Sequence, residues 1–179
     1  MVLCDYNQNG ERQMTGKHTF RVPLKDFDNP IEPKQIIILP SDNNYYYVES
    51  KNTKSATLKP LLRINQVKEC SSTERKFIQL WTYFFPEIEL IFQMPLPNRF
   101  RADFFHIPTK TVIETHGGVW TKSGHTTGTG VTNDCKKICI CSSLGYRFFA
   151  ISTQMITEEW LRLIANTILS SEVANSKNA

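Results

Sequence analysis

Asp103, Glu114 and His116 are the residues of this chain whose types and spacing best suit chemistry on a phosphate. They fall within Arg101–Trp120, RADFFHIPTKTVIETHGGVW. Asp103 opens an apolar run, a short turn carries Pro108, and a second run from Thr111 to Ile113 delivers Glu114 and His116 beside Gly117 and Gly118. Side chains alternate along a strand, so Glu114 and His116 share one face. A carboxylate in or at the end of an apolar strand is costly unless it has a partner or a task. Phosphodiester hydrolysis would supply a task. It needs an activated water, neutralisation of charge on the phosphate, and help for the leaving oxygen, all of which one or two Mg²⁺ ions can provide. Magnesium takes hard oxygen ligands and keeps several waters, so one or two carboxylates and the substrate phosphate suffice. Asp103 and Glu114 are the candidate ligands, the Thr115 carbonyl is a further oxygen, and Mn²⁺ is the alternative ion. His116, with a reference pKa near 6.5, suits proton transfer near neutral pH.

Other residues frame this group with less specificity. Arg99, Arg101, Lys122, Lys136 and Lys137 can meet phosphates, and each can equally be solvated surface. Trp120 can stack on DNA or anchor its own loop. His18 and His106 have no supporting context. Cys135, Cys139 and Cys141 have C-x3-C-x-C spacing, which is not a zinc-knuckle pattern, and small apolar positions on a helix are the competing account. A zinc or redox protein centred on them is a separate reading.

The elements that must position these residues are legible from Ser71 onward. Phe77, Leu80, Trp81, Phe84 and Phe85 recur as one face of an amphipathic helix. Ser71 and Glu74 have capping-box spacing at its start, and Pro86 stops it. Strands are expected over 87–92, 99–105 and 111–115, followed by a Gly- and Thr-rich loop from Gly117 to about Gly130. A second helix follows, capped by Thr132 or Asn133, with Cys135, Ile138, Cys139 and Ser142 on one face and Gly145 as its stop. Tyr146–Ser152 reads as a buried strand, and Thr157 caps a last helix with Trp160, Leu161, Ile164 and Ile168 inside. The order predicts an α/β core with a mixed sheet and helices on its faces.

The first part is harder to read. Residues 1–34 are polar and broken by Gly10, Gly16, Pro23, Pro30 and Pro33, while QIIIL (35–39) and YYYVE (45–49) suggest a hairpin. Tyr45, Tyr46 and Tyr47 invite a base-stacking reading, but alternation sends at least one into a core. Lys51, Lys54, Lys59 and Arg63 form either a phosphate-contacting strip or solvated surface. The expected organisation is an N-terminal extension over 1–66 with a small hairpin module, a core over 67–170, and a frayed tail over 171–179.

Composition bounds the function. A chain of 179 residues with 40% hydrophobic content is a folded globular protein with room for one good core. The net charge of +4 permits a polyanionic partner without demanding one. No apolar run approaches the roughly 18 residues of a membrane span. Asp5, Asn7, Asn9, Glu11 and Arg12 interrupt any signal-peptide core, and five cysteines are an odd number for a disulfide framework. An intracellular location, in cytoplasm or nucleoid, is the expectation.

The pattern D103-x10-E114-T-H116 resembles the signature of the PD-(D/E)xK nuclease superfamily, with histidine where lysine is usual. VIETHGGVW and the later D134-C-K-K-I-C-I-C-S-S-L-G-Y-R-F-F are similar to its very-short-patch-repair-like branch, and to small phage-borne proteins of that type. The resemblance covers roughly residues 71–165. It implies a restriction-endonuclease-like core, DNA as substrate, metal on Asp103 and Glu114, and His116 at the proton-transfer position. It also implies a metal-facing glutamate on the first helix, for which Glu74 is the match beside its capping role. The repair enzymes carry a second histidine where this chain has Thr121, and His125 is the candidate substitute. They have phenylalanine at the Glu114 position, and their zinc ligands are not evident here, which argues against mismatch-specific repair. The expectation is therefore a Mg²⁺-dependent DNA endonuclease of repair-like, homing or phage type. Cutting both strands would call for a homodimer or sequential nicking. The rival reading is a DNA-binding or assembly module that keeps the fold without turnover.

Overall fold

Two hydrophobic cores divide the chain into units spanning Met1–Leu62 and Arg63–Ala179. The computed structural model describes residues 19–27, 30–39, 43–117 and 128–176.

In the first unit an antiparallel sheet has the order β1-β4-β3-β2, made of β1 (Phe20–Pro23), β2 (Ile36–Ile38), β3 (Tyr45–Lys51) and β4 (Ser55–Pro60). The expected hairpin is β2 with β3, registered Ile36↔Tyr47 and Ile38↔Tyr45. β1 and β4 have no contiguous apolar run and escape a sequence reading. Alternation in β4 nevertheless buries Ala56 and Leu58, which join Tyr46, Val48, Ile31 and Leu39 in one core. Of the three tyrosines, Tyr46 is buried and Tyr45 and Tyr47 are half-buried. Lys51 donates to the Ile31 carbonyl at 2.9 Å and to Glu32 at 2.8 Å, so it is not a free member of a basic strip.

The second unit follows the predicted order and is a mixed α/β sheet flanked by helices. α1 (Ser72–Phe84) carries the full capping box at Ser71 and Glu74. Phe77 and Trp81 are wholly buried, and the Phe77 ring stacks on Phe104 at 4.2 Å between centroids. The sheet runs β5 (Leu62–Arg63), β6 (Ile91–Pro95), β7 (Arg101–His106), β8 (Thr111–His116), β9 (Arg147–Ser152), antiparallel from β6 to β8 and parallel between β8 and β9. α2 (Gly128–Ser143) makes the crossover between those parallel strands. α3 (Glu158–Ser176) closes the unit. Its Leu161, Ile164 and Ile168 join Phe77, Trp81, Phe104 and Ile113 in the main core.

Several boundaries and faces differ from expectation. The strand expected over 87–92 begins at Ile91, because Ile88 N–H turns back to the Phe85 carbonyl and the Leu90 carbonyl serves Ile64. α2 starts at Gly128, ahead of Thr132 and Asn133, and Thr132 Oγ1 bonds back to the Gly128 carbonyl at 2.7 Å. Cys135 and Cys139 are exposed and Ile138 is 41% exposed; only Cys141 is buried. The helix turns Asp134, Lys137 and Cys141 inward instead. Gly145 is the predicted stop, at φ +69, with Tyr146 N–H bonded to Cys141 and Gly145 N–H to Ser142. β9 is an edge strand, so only Ile151 of it is buried. Trp160 lies outside the inner face of α3, and that helix continues past Ser171 to Ser176.

Candidate active site

The β7–β8 hairpin carries the site, and its turn is fastened by polar side chains. His106, 3% exposed, lies 2.8 Å from Thr109 Oγ1, which lies 2.8 Å from Thr111 Oγ1. The strands pair as Phe104↔Ile113, Phe105↔Val112 and His106↔Thr111. Continued by one step, this register brings Asp103 opposite Glu114. There the carboxylates take over from the backbone ladder. Asp103 N–H donates to Glu114 Oε1 at 3.2 Å, while Thr115 donates to Asp103 Oδ2 from both its N–H and its Oγ1, each at 2.9 Å. Two carboxylates thus sit side by side where the strands part, and Glu114 is only 5% exposed.

The inner face of α2 explains why that helix buries polar residues. Asp134 and Lys137, at i and i+3, meet the same-face pair His116 and Glu114 on β8. Lys137 Nζ donates to Glu114 Oε2 at 2.6 Å, and Asp134 Oδ2 lies 3.5 Å from His116 Nδ1. Cys141, one turn beyond Lys137, completes the face.

Burial and crowding set the protonation. Burial raises the Asp103 pKa, opposed by the two Thr115 donors and the Lys137 charge and reinforced by Glu74. Burial, then the Asp103 charge, pushes Glu114 up to about 7 despite the Lys137 ammonium. The ion pair and the upward shift are compatible, because desolvation and a like charge act together against one ammonium. When ionised, Asp103 and Glu114 carry one more negative charge than Lys137 cancels. Burial also pushes Cys141 up to about 11.

The net negative charge and the all-oxygen donor set of Asp103, Glu114 and the Thr115 carbonyl are of the kind that would suit a hard dication such as Mg²⁺ or Mn²⁺. Among the described residues no group of three or more His, Cys, Asp or Glu side chains forms a metal cluster. Glu74 lies at the margin: Oε2 accepts from Ser71 N–H at 2.7 Å and Oε1 from Gln93 Nε2 at 2.9 Å, and its charge is felt at Asp103.

The other expected residues divide in three ways. Arg101 shares the β7 face of Asp103 and is exposed, and Arg99 is exposed at the adjoining turn. Lys136 is exposed, off the inner face of α2. Trp120, Lys122 and His125 lie outside the described residues. Sequence reasoning placed Lys137 among the cations that meet phosphates or solvent and gave Asp134 no role. Their signal was available: acid and base three apart on the helix that follows a strand bearing Glu and His two apart.

No family model matches the chain, and no curated protein matches it. Among solved structures it is similar to the catalytic domain of the homing endonuclease I-Bth0305I, with 18% identity and a TM-score of 0.41. That match covers 59% of this chain and 97% of the other. At that distance the likeness assigns neither fold nor activity.

Proposed function

We propose that the second unit is a divalent-metal-dependent DNA endonuclease. The observation that carries this reading is the pair of buried carboxylates, Asp103 and Glu114, at the parting of β7 and β8, with a lysine and a histidine–aspartate pair brought to them by α2. Asp103 and Glu114, with the Thr115 carbonyl, hold the metal. Bound there, Mg²⁺ or Mn²⁺ supplies positive charge to the scissile phosphate and the departing oxygen. The Thr115 N–H and hydroxyl keep Asp103 in place, so little reorganisation is needed when substrate arrives. Lys137 orients Glu114 and adds a cation beside the phosphate, the part usually given to a lysine on the strand itself. Asp134 faces His116 Nδ1, which leaves Nε2 to take a proton from the attacking water. Arg101 and Arg99 contact backbone phosphates.

Residues 1–66 are proposed to supply DNA recognition or a dimer contact, and Trp120, Lys122 and His125 to border the substrate. The non-catalytic DNA-binding module keeps one observation in its favour, since Lys137 already neutralises Glu114. Supercoiled plasmid incubated with the full chain separates the two readings. The nuclease nicks or linearises it with Mg²⁺ or Mn²⁺, and chelator stops the reaction; plasmid that is bound and never cut, with either ion, supports the module.

A further inference from the structure

The sheet of the first unit has two faces of different chemistry. Its inner face carries the core, where Tyr46 and Val48 of β3 and Ala56 and Leu58 of β4 are buried. Residues between them along each strand point the other way. On β3 these are Tyr45 and Tyr47, and on β4 Thr57 and Lys59, all half-buried. The register joins them into one patch: Lys59 stands across from Tyr47, Ile38 from Tyr45, and Arg21 of β1 from Thr57. Arg21 is exposed, and Ile38 is 51% exposed. Neither Arg21 nor Lys59 makes an ion pair among the described residues. Glu49, the acid that follows on β3, lies where the ladder slips between Val48 and Ser50, and such a bulge re-aims its side chain.

We propose that this outer face binds single-stranded nucleic acid, with bases on the Tyr45 and Tyr47 rings and phosphates met by Lys59 and Arg21. Same-face side chains of a strand are about 7 Å apart, so each ring can take its own base. A nucleotide is a flat ring tied to an anion, and the patch offers aromatic rings with cations beside them. An apolar protein partner would instead bury Lys59 and Arg21 without compensation. A duplex fits less well, because its bases are stacked inside and the tyrosines would meet only its backbone. The inference rests on the reading that residues 1–66 recognise DNA. It gives that role a surface and a strand form, and it needs neither metal nor cleavage.

Binding is measured with the full chain in chelator, so that nothing is cut, from the anisotropy of labelled oligothymidylate, oligouridylate and a mixed-sequence duplex. Each probe is about 12 nucleotides long, within the site size of single-strand surfaces. The tighter of the two single strands names DNA or RNA as the ligand. Tyr47→Leu keeps an apolar side chain on the sheet and is expected to weaken single-strand binding about five- to 100-fold, whereas Tyr47→Phe keeps the ring and the affinity. Duplex binding, which the second unit provides, is expected to stay unchanged in both. Lys59→Gln should lower the salt slope of log K for the single strands by about 0.7, the share of one phosphate contact. Equal single-strand affinity of wild type and folded Tyr47→Leu overturns the proposal. So does an equal loss in Tyr47→Leu and Tyr47→Phe, or a loss in Tyr47→Leu that is as large for the duplex. Should Tyr47→Leu unfold, the Lys59→Gln slope decides, and an unchanged slope overturns the proposal. A chain that binds the single strands through Tyr47 but cuts no plasmid leaves this face standing while the nuclease reading fails; cleavage without a Tyr47 effect on binding does the reverse.

Discussion

At the scale of single residues, Glu114 does most to define the site, and it inverts the usual behaviour of a carboxylate. Its folded-state pKa, about 7, lies above its ordinary value of 4.5. In that interval the metal-free folded chain binds more protons than the unfolded one. The contribution to stability is complete below pH 4.5 and is lost as pH rises through about 7. Asp103, also raised, acts in the same direction. Metal-free wild type is therefore expected to lose a few degrees of Tm relative to Glu114→Gln between pH 5 and pH 8. A gap between the two that does not move with pH would contradict the burial argument. Lys137→Met removes the cation that opposes the shift, so its window extends to higher pH in the same melts. Asp103, Glu114 and His116 were legible because a charged pattern interrupts two apolar runs. Lys137 was not, because a lysine on a helix resembles any surface lysine until the strand opposite it is known.

At the scale of elements, the site depends on α1 meeting the open end of β8. A Cβ added at Gly117 would lie 2.8 Å from Thr73 Oγ1. That hydroxyl is 3.5 Å from Thr153 Oγ1, which also approaches the His116 carbonyl at 3.4 Å. Gly117→Ala forces Thr73 to rotate away and is expected to cost about 1 kcal/mol, the low end for overpacking. Denaturant melts should show that loss, with Thr73→Ala restoring most of it; equal destabilisation in both backgrounds would place the cost elsewhere. The first helix could be read from periodicity, since Phe77, Trp81 and Phe85 repeat with it, and β8 from its short apolar run between a turn and Gly117. The inner face of α2 could not. Cys135, Cys139 and Ile138 are the more apolar stripe, but they are exposed and the helix docks through Asp134, Lys137 and Cys141, where Glu114 and His116 find polar partners. Tertiary electrostatics overrode hydrophobic pattern, and Glu114 and His116, two apart on the facing strand, were the clue.

At the scale of the whole molecule, two cores serve different sequence logics. The second unit announces itself through long apolar periods and caps, whereas the first builds its sheet from strands such as SATLKP, where Ala56, Leu58 and Pro60 alternate with polar residues and are buried. No helix among the described residues is long and apolar enough to cross a membrane. The mild positive charge suits a polyanionic substrate met at a local site. Asp103 and His116 are proposed to act on the same phosphodiester, and single-turnover cleavage of a labelled DNA duplex in Mn²⁺ reads out both roles at once. Wild type is expected to cut, Asp103→Asn to lose about 10³-fold or more in rate, and His116→Ala about 10²–10⁴-fold, the range of a single general base. Both variants should keep the wild-type far-UV spectrum. Cleavage at the wild-type rate by folded Asp103→Asn would remove Asp103 from the reaction and overturn the proposed site.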